Sequence, residues 1–329
     1  MAVASSTNKE KWLRQFAGVV CRRVNWYLSL LLLFVLQPVL AQIDPIEHAV
    51  DVDGHPMAVW EKSVPEPKGH ILLHHGRTWS SLPDFDLQVP GEELSLMDGF
   101  NALGYSVWAL DARGYGKTPR DNTGWNTPDR AALDLAAVLD WLLVRNGEAS
   151  HVWGWSYGSM VAQLAAQRFP EAMASVTLFG YPTDPDAVVP ETTFLSEAPA
   201  RPTTRAAAAS DFIVPDSISQ LAIDSYVEAA MKADPIRADW NQLHQWNALD
   251  GEALTLPTLL LQAEFDPLAD TDAHARFFAK IANPNKQWIV LAGGDHAALL
   301  ETPPAKRTKS HIDCNEWLTQ QVCRLLLLV

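Results

Sequence analysis

The stretch of sequence that decides the fold of this chain is Gly154-Trp155-Ser156-Tyr157-Gly158. It follows a short apolar run at residues 151–153 and leads into a helical pattern at residues 159–169, so it joins a predicted strand to a predicted helix. A serine at such a turn is held in a strained backbone conformation with its hydroxyl exposed, and flanking glycines let strand and helix approach closely. Ser156 is therefore the candidate nucleophile. Because the pattern is short, partner residues elsewhere must support this interpretation.

The partners that a nucleophilic serine needs are an imidazole to take its proton and a carboxylate to orient that imidazole. After this type of turn the expected chain order is serine, acid, histidine. A predicted buried strand at residues 257–263 leads to Asp266, and the next strand, at residues 287–291, leads through two glycines to His296. Either residue alone could be an ordinary loop side chain. Their order after successive strands favours Asp266 as the acid and His296 as the base.

Acyl chemistry also needs backbone N–H groups that hold the charge developing on the substrate oxygen, the oxyanion hole. One donor is predicted to be the amide of Tyr157, directly after the serine. The other is expected in a loop after an earlier strand, and a strand-like run near residues 70–74 is followed by His75-Gly76. We predict the amide of Arg77 as this second donor, with Thr78 as the alternative.

Four motifs in this order give the chain a family resemblance: His75-Gly76, the D-x-R-G-x-G stretch at residues 111–116, the turn at Ser156, and the pair Asp266 with His296. Over residues 46–325 the chain resembles the α/β-hydrolase fold superfamily. The resemblance implies a mostly parallel central sheet with helices on both faces, and scaffold roles for Asp111 and Arg113. The serine speaks against two similar groups that use an aspartate there, the haloalkane dehalogenases and the epoxide hydrolases.

The rest of the chain alternates strand and helix patterns, as a parallel sheet covered on both faces requires. A predicted hairpin at residues 46–61 turns at Asp53-Gly54. The alternation stops between residues 181 and 256, which are rich in proline and carry helical patterns at 217–232 and 239–249. We interpret residues 42–180 and 257–329 as the hydrolase core. Residues 181–256 are interpreted as a lid, inserted before the strand that carries the acid, although a structural insertion without a gating role is the alternative.

Residues 1–41 have the composition of a targeting segment. Five basic residues and one acidic residue precede an apolar run at residues 26–36, and Ala41 ends a pattern of small residues. We predict a cleavable signal with cleavage before Gln42, and hence a secreted or periplasmic protein without a stable membrane span. An uncleaved signal-anchor is the alternative. In a closing helix predicted at residues 308–325, the nine-residue spacing of Cys314 and Cys323 disfavours a disulfide between them.

The composition limits the classes of ligand. The net charge is −14, which leaves about −18 outside the targeting segment and disfavours nucleic acid and anionic membranes as partners. No glycine-rich phosphate loop is present, and His74 and His75 are adjacent rather than at metal-ligand spacing. We therefore expect no cofactor and no metal. The oligomeric state is not set by these patterns.

Together these features predict a serine hydrolase that cleaves a carboxylic ester or a related acyl bond of a small molecule through an acyl-enzyme. Two alternatives keep the same residues: transfer of the acyl group to another acceptor, and cleavage of an amide or carbon–carbon bond. A third is a ligand-binding protein on a hydrolase scaffold, in which the three side chains are idle. Trp79, Trp155, Trp240 and Trp246 lie in site loops or in the predicted lid and could line an apolar pocket, or could simply pack in the core.

Overall fold

A computed structural model describes residues 44–192 and 196–300 of the chain. The predicted signal segment at residues 1–41, the closing helix at residues 308–325, and both Cys314 and Cys323 lie outside the described residues.

The described residues form ten strands and seven α-helices. The strands are β1 (Ile46–Val52), β2 (His55–Lys62), β3 (His70–His74), β4 (Ser106–Leu110), β5 (Trp125–Asn126), β6 (Ser150–Trp155), β7 (Met173–Phe179), β8 (Asp239–Trp240), β9 (Thr258–Ala263) and β10 (Lys286–Leu291). The helices are α1 (Ser81–Phe85), α2 (Leu96–Ala102), α3 (Pro128–Asn146), α4 (Tyr157–Arg168), α5 (Arg205–Ala209), α6 (Gln220–Ala233) and α7 (Thr271–Lys280). Short 3₁₀ helices cover Pro170–Ala172, Leu243–Ala248, Gly251–Ala253 and Ala298–Leu300.

Eight of the strands form one sheet in the order β1-β2-β4-β3-β6-β7-β9-β10. The pairs β1–β2 and β2–β4 are antiparallel, and every later pair is parallel. The hairpin at the antiparallel edge turns at Asp53 (φ 54°) and Gly54 (φ 77°), the left-handed pair that a two-residue type I′ turn requires. The predicted fold class, a mostly parallel sheet with helices, is confirmed.

Two apolar cores lie on opposite faces of the sheet because successive strand side chains point to opposite sides. In β3, Leu72 contributes to one core, while Ile71 and Leu73 contribute to the other. The first core also contains the buried faces of α3, α4 and α7, and the second contains those of α2 and α6. Helices on both faces therefore leave the ends of the parallel strands as the place where loops converge.

The inserted segment, residues 181–256, lies between β7 and β9. Its helix α6 packs on α1, where the Tyr226 hydroxyl donates to Asp84 Oδ1 at 2.9 Å. One expected helix is wrong: within residues 239–249 the chain forms strand β8, which pairs with β5, followed by the 3₁₀ helix Leu243–Ala248. The Trp240 indole donates to the Tyr115 hydroxyl at 2.8 Å. These contacts with the core hold the backbone of Trp240 extended, so a helix does not form there although the sequence has a helical pattern.

Candidate active site

Ser156 stands between β6 and α4 in a strained conformation, with φ 55° and ψ −121°. Its N–H donates to the Phe179 carbonyl at 2.9 Å, which ties the turn to the neighbouring strand β7. A Cβ at Gly158 would overlap the carbonyl oxygens of His74 and His75, and one at Gly154 would overlap the Gly158 backbone. Both glycines are therefore required by the close approach of β6, α4 and β3, and the predicted turn has the expected geometry.

Asp266 and His296 meet at the carboxyl edge of the sheet, after β9 and β10. Asp266 Oδ2 lies 2.7 Å from His296 Nδ1, and the Asp266 side chain is fully buried. Its other oxygen, Oδ1, accepts the Leu268 N–H at 2.9 Å, so the carboxylate is fixed at both ends. An ionised carboxylate at Nδ1 holds the imidazole as the Nδ1–H tautomer and leaves Nε2 free to accept a proton.

The His296 imidazole is also held by the residue that precedes the serine. The Trp155 indole donates from Nε1 to the His296 carbonyl at 2.9 Å, and the two rings are 5.4 Å apart between centroids. In the described part of the chain, the Ser156 hydroxyl is not hydrogen-bonded to His296. Such bonds are often long in unliganded hydrolases and shorten when substrate is bound. The structure thus brings Asp266 and His296 into direct contact and places Ser156 one residue from the indole that binds His296.

Gly180, which the sequence analysis did not select, lies against the acid–base pair. It directly follows β7 and has a left-handed backbone, with φ 54°. A Cβ placed on it would lie 3.0 Å from His296 Cε1, 3.1 Å from His296 Nδ1 and 3.3 Å from Asp266 Oδ2. Only glycine combines this conformation with this contact without strain. No local motif could have identified it, because its neighbours come from loops more than eighty residues further along the chain.

The loop after β3 approaches Ser156 through Gly76. A Cβ at Gly76 would lie 3.0 Å from Ser156 Cβ. His75 holds this loop in place: Nδ1 donates to the Gly76 carbonyl at 2.7 Å, and Nε2 accepts the Ala112 N–H at 3.0 Å. Burial lowers the pKa of His75 to about 4, so its imidazole is neutral and keeps one donor and one acceptor.

The two amides predicted as oxyanion donors are without acceptors. Within residues 44–192 and 196–300, neither the Arg77 N–H nor the Tyr157 N–H makes a hydrogen bond. Tyr157 is the first residue of α4, where the backbone N–H has no partner in the helix, and the helix dipole adds partial positive charge. Both flank Ser156, Tyr157 by sequence and Arg77 through Gly76. This arrangement can accommodate a developing negative charge next to the serine.

The charged residues of the D-x-R-G-x-G stretch bond to the scaffold around the site. Asp111 accepts the Trp60 indole at 3.0 Å and the N–H groups of Ser81 and Lys117 at 2.9 and 3.0 Å. Arg113 makes a bidentate ion pair with Asp134 of α3 at 2.6 and 2.8 Å. Every charged group here has its partner within the scaffold.

Aromatic side chains surround the Tyr157 ring. Its centroid lies 5.3 Å from that of Trp240 and 5.8 Å from that of Trp246, both from the inserted segment. The ring of Trp155, the residue before Ser156, lies against the His296 imidazole. Three of the four tryptophans predicted for site loops or the insert therefore contact the nucleophile turn or the base.

The inserted segment is also joined to the histidine loop. Asp295 Oδ2 accepts the N–H groups of Ile213 and Val214 at 2.6 and 2.8 Å. Close by, burial raises the pKa of Asp211 to about 6, an effect partly offset by the nearby His296 imidazole and Trp79 indole. Sequence reasoning missed both aspartates, because nothing local to them indicates a partner so distant in the chain.

Two other features are absent from the described residues. No group of three or more His, Cys, Asp or Glu side chains in residues 44–192 and 196–300 could hold a metal ion. None of the helices in these ranges is long and apolar enough to cross a membrane.

Comparison with known proteins agrees with this geometry. The family model described as serine aminopeptidase, S33 (Hydrolase_4) matches residues 65–303. No curated protein matches the chain by sequence.

Several solved structures share the fold at low identity. The 2-hydroxy-6-oxo-6-phenylhexa-2,4-dienoate hydrolase from Rhodococcus sp. strain RHA1 is 16% identical with a TM-score of 0.59, covering 87% of this chain and 99% of that one. A membrane phospholipase A, described as a bacterial virulence factor, is 18% identical with a TM-score of 0.59, covering 96% and 98%. The thioesterase domain from the curacin biosynthetic pathway is 18% identical with a TM-score of 0.56, covering 80% and 98%.

The family model covers most of the chain, and it spans both the serine turn and the Asp266–His296 pair. The resemblance to α/β-hydrolases is therefore confirmed. This chain belongs to the serine aminopeptidase S33 family of α/β-hydrolases.

Proposed function

We propose that this hydrolase cleaves a carboxylic ester or a related acyl bond through an acyl-enzyme formed on Ser156. The observation that carries the proposal is the buried Asp266–His296 contact of 2.7 Å, located beside a serine whose φ of 55° is found in nucleophile turns. An imidazole oriented by a buried carboxylate is the group that takes the proton of a nucleophilic serine, which supports this proposal.

In the first half-reaction, the Ser156 hydroxyl attacks the substrate carbonyl carbon while its proton moves to His296 Nε2. The resulting imidazolium is stabilised by Asp266, which bonds Nδ1 and does not itself take the proton. The carbonyl oxygen becomes an oxyanion and accepts hydrogen bonds from the backbone N–H groups of Arg77 and Tyr157. Collapse of this intermediate breaks the bond to the leaving group, which departs with the proton from His296.

In the second half-reaction, water replaces the leaving group. His296 takes a proton from the water as it attacks the acyl carbon, and returns that proton to the Ser156 oxygen as the acid product leaves. The net reaction converts one ester and one water molecule into one carboxylic acid and one alcohol. The solved structures that share this fold carry names of several hydrolase types. The serine, its partners and the two free amides support acyl chemistry, and the hydrolysis of an ester is the form of it that we propose and test.

The test is the kinetics of 4-nitrophenyl ester hydrolysis by the wild type and by Ser156→Ala and Asp266→Asn. We expect an initial burst of nitrophenol of about one per site, which marks an acyl-enzyme. We expect kcat to fall by about 10⁴-fold or more in each variant, because residues of such a system act as a unit. Unchanged kcat in a folded Ser156→Ala variant would overturn the proposal.

A further inference from the structure

Arg77 places a positive charge beside the nucleophile turn. It follows Gly76, which abuts Ser156, and its guanidinium lies over the Tyr157 ring, 5.4 Å from the centroid. One side-chain hydrogen bond is present, from Nη1 to the Tyr157 hydroxyl at 3.4 Å, a long contact. The Nε atom is buried and has no hydrogen-bond partner.

A second cation, Arg237, lies in the inserted segment, with part of its side chain exposed to solvent. It stands three residues before Trp240, whose ring packs against Tyr157. Burial lowers the pKa of Arg237, and the positive charge of Arg77 lowers it further. Both arginines also act electrostatically on the Tyr115 hydroxyl, which accepts the Trp240 indole N–H at 2.8 Å.

Neither guanidinium has an anionic partner among residues 44–192 and 196–300. The carboxylate that acts on Arg237, Asp239, is already used: its Oδ2 accepts the Ala200 N–H at 2.9 Å and lies 3.5 Å from Arg120. By contrast, the scaffold arginine Arg113 makes a bidentate pair with a carboxylate at 2.6 and 2.8 Å.

The unpaired, buried Nε–H of Arg77 loses its hydration without compensation, and the positive charge of Arg237 repels that of Arg77. A bound anion removes both costs at once. A carboxylate suits the free edge of a guanidinium, because its two oxygens match the parallel N–H donors of the fork. The Tyr157 hydroxyl adds a third donor on the same side.

We propose that Arg77 and Arg237 form a carboxylate-binding subsite of the candidate active site, so that the substrate is an ester bearing a carboxylate a few bonds from the scissile carbonyl. The part of this inference that concerns the reaction rests on the proposed function, whereas the binding of a carboxylate does not depend on it. The carboxylate would be held by the Arg77 guanidinium while the scissile carbonyl lies at Ser156, because Arg77 follows Gly76, which abuts Ser156, and its guanidinium lies over Tyr157 of the nucleophile turn.

The kinetic test compares two esters of equal chain length, mono-4-nitrophenyl glutarate and 4-nitrophenyl pentanoate. The measured quantity is the ratio of their kcat/KM values in the wild type, Arg77→Gln, Arg237→Gln and the control Arg205→Gln. Arg205 is a cation of the inserted segment that pairs with exposed Glu228 at 2.6 Å, so its variant loses the same charge. We expect the ratio to favour glutarate and to fall about 10- to 100-fold in the two subsite variants but not in Arg205→Gln.

An equilibrium measurement separates this inference from the proposed reaction. Glutarate binding to Ser156→Ala is measured by calorimetry, alone and combined with Arg77→Gln or Arg205→Gln. Binding that is lost with Arg77→Gln and kept with Arg205→Gln supports the subsite whichever side of the ester carries the carboxylate. Equal binding in all three proteins, with no kinetic preference for the glutarate ester, overturns it. If neither ester is hydrolysed, the proposed function fails, and the calorimetry still decides the subsite.

Discussion

Substitution of Gly180 by alanine tests whether the geometry of the Asp266–His296 pair controls catalysis. The residue has φ 54°, and an added Cβ would lie 3.0 Å from His296 Cε1 and 3.3 Å from Asp266 Oδ2. These distances are tighter than ordinary van der Waals contact, so the imidazole or the carboxylate must move by a few tenths of an ångström. Both side chains are buried, so little free space allows that movement.

The expected effects have two separate parts. The left-handed backbone costs about 1–2 kcal/mol of stability once a Cβ is present. The displaced imidazole lowers kcat by about 10- to 100-fold, since a misplacement of about 1 Å in a catalytic group can cost about 10²-fold. KM should change less, because the three atoms nearest to the new methyl group all belong to His296 and Asp266.

Gly54→Ala is the matched control for the backbone cost. Gly54 also has a left-handed backbone, with φ 77°, but a Cβ there would meet nothing within 4 Å. We expect urea melts to show a similar loss of stability in both variants, and ester hydrolysis to show lower kcat only in Gly180→Ala. A Gly180→Ala variant that loses stability like Gly54→Ala but keeps wild-type kcat would refute the reasoning.

Three further predictions concern stability and can be read from urea melts. Gly158→Ala should unfold the protein or remove more than about 3 kcal/mol, because its Cβ overlaps the His74 carbonyl oxygen, a backbone atom; near-native stability would contradict the packing described here. His75→Leu leaves the buried Ala112 N–H without its acceptor, which costs about 1–3 kcal/mol at pH 8. Because burial lowers the pKa of His75 from 6.5 to about 4, wild-type stability from this residue falls as pH drops through that window, so the difference should shrink at pH 5; a constant difference would argue against a neutral buried imidazole. Burial raises the pKa of Asp84 well above its ordinary value, so its ionisation destabilises the native state as pH rises; Asp84→Asn should therefore gain more stability over the wild type at pH 8 than at pH 5, and the opposite order would refute this.

The parts of the fold that could be predicted are those with local causes. The turn at Ser156 was recognisable because glycines flank a serine between a strand pattern and a helix pattern. The parallel strands followed from short apolar runs, and the hairpin from Asp53-Gly54. The expected helix over residues 239–249 was wrong because Trp240 and its neighbours are fixed by partners in β5 and at Tyr115.

The parts of the site that could not be predicted depend on contacts between distant segments. Gly180 matters only because the loops after β9 and β10 pack against it. Asp295 joins the histidine loop to the inserted segment, because its carboxylate accepts hydrogen bonds from the N–H groups of Ile213 and Val214. Likewise, the electrostatic interaction of Arg237 with Arg77 depends on the return of the inserted segment to the nucleophile turn, where Trp240 packs against Tyr157, and no local pattern predicts that contact.

The central claim is that Ser156 is activated by His296, and covalent labelling with a fluorophosphonate probe tests it most directly. The probe reacts with serines that have an activating base, and peptide mapping identifies the labelled residue. We expect one label, on Ser156, that is lost in Ser156→Ala and strongly reduced in His296→Ala. Absence of labelling in the folded wild type, or labelling of Ser156 at an unchanged rate in His296→Ala, would contradict it.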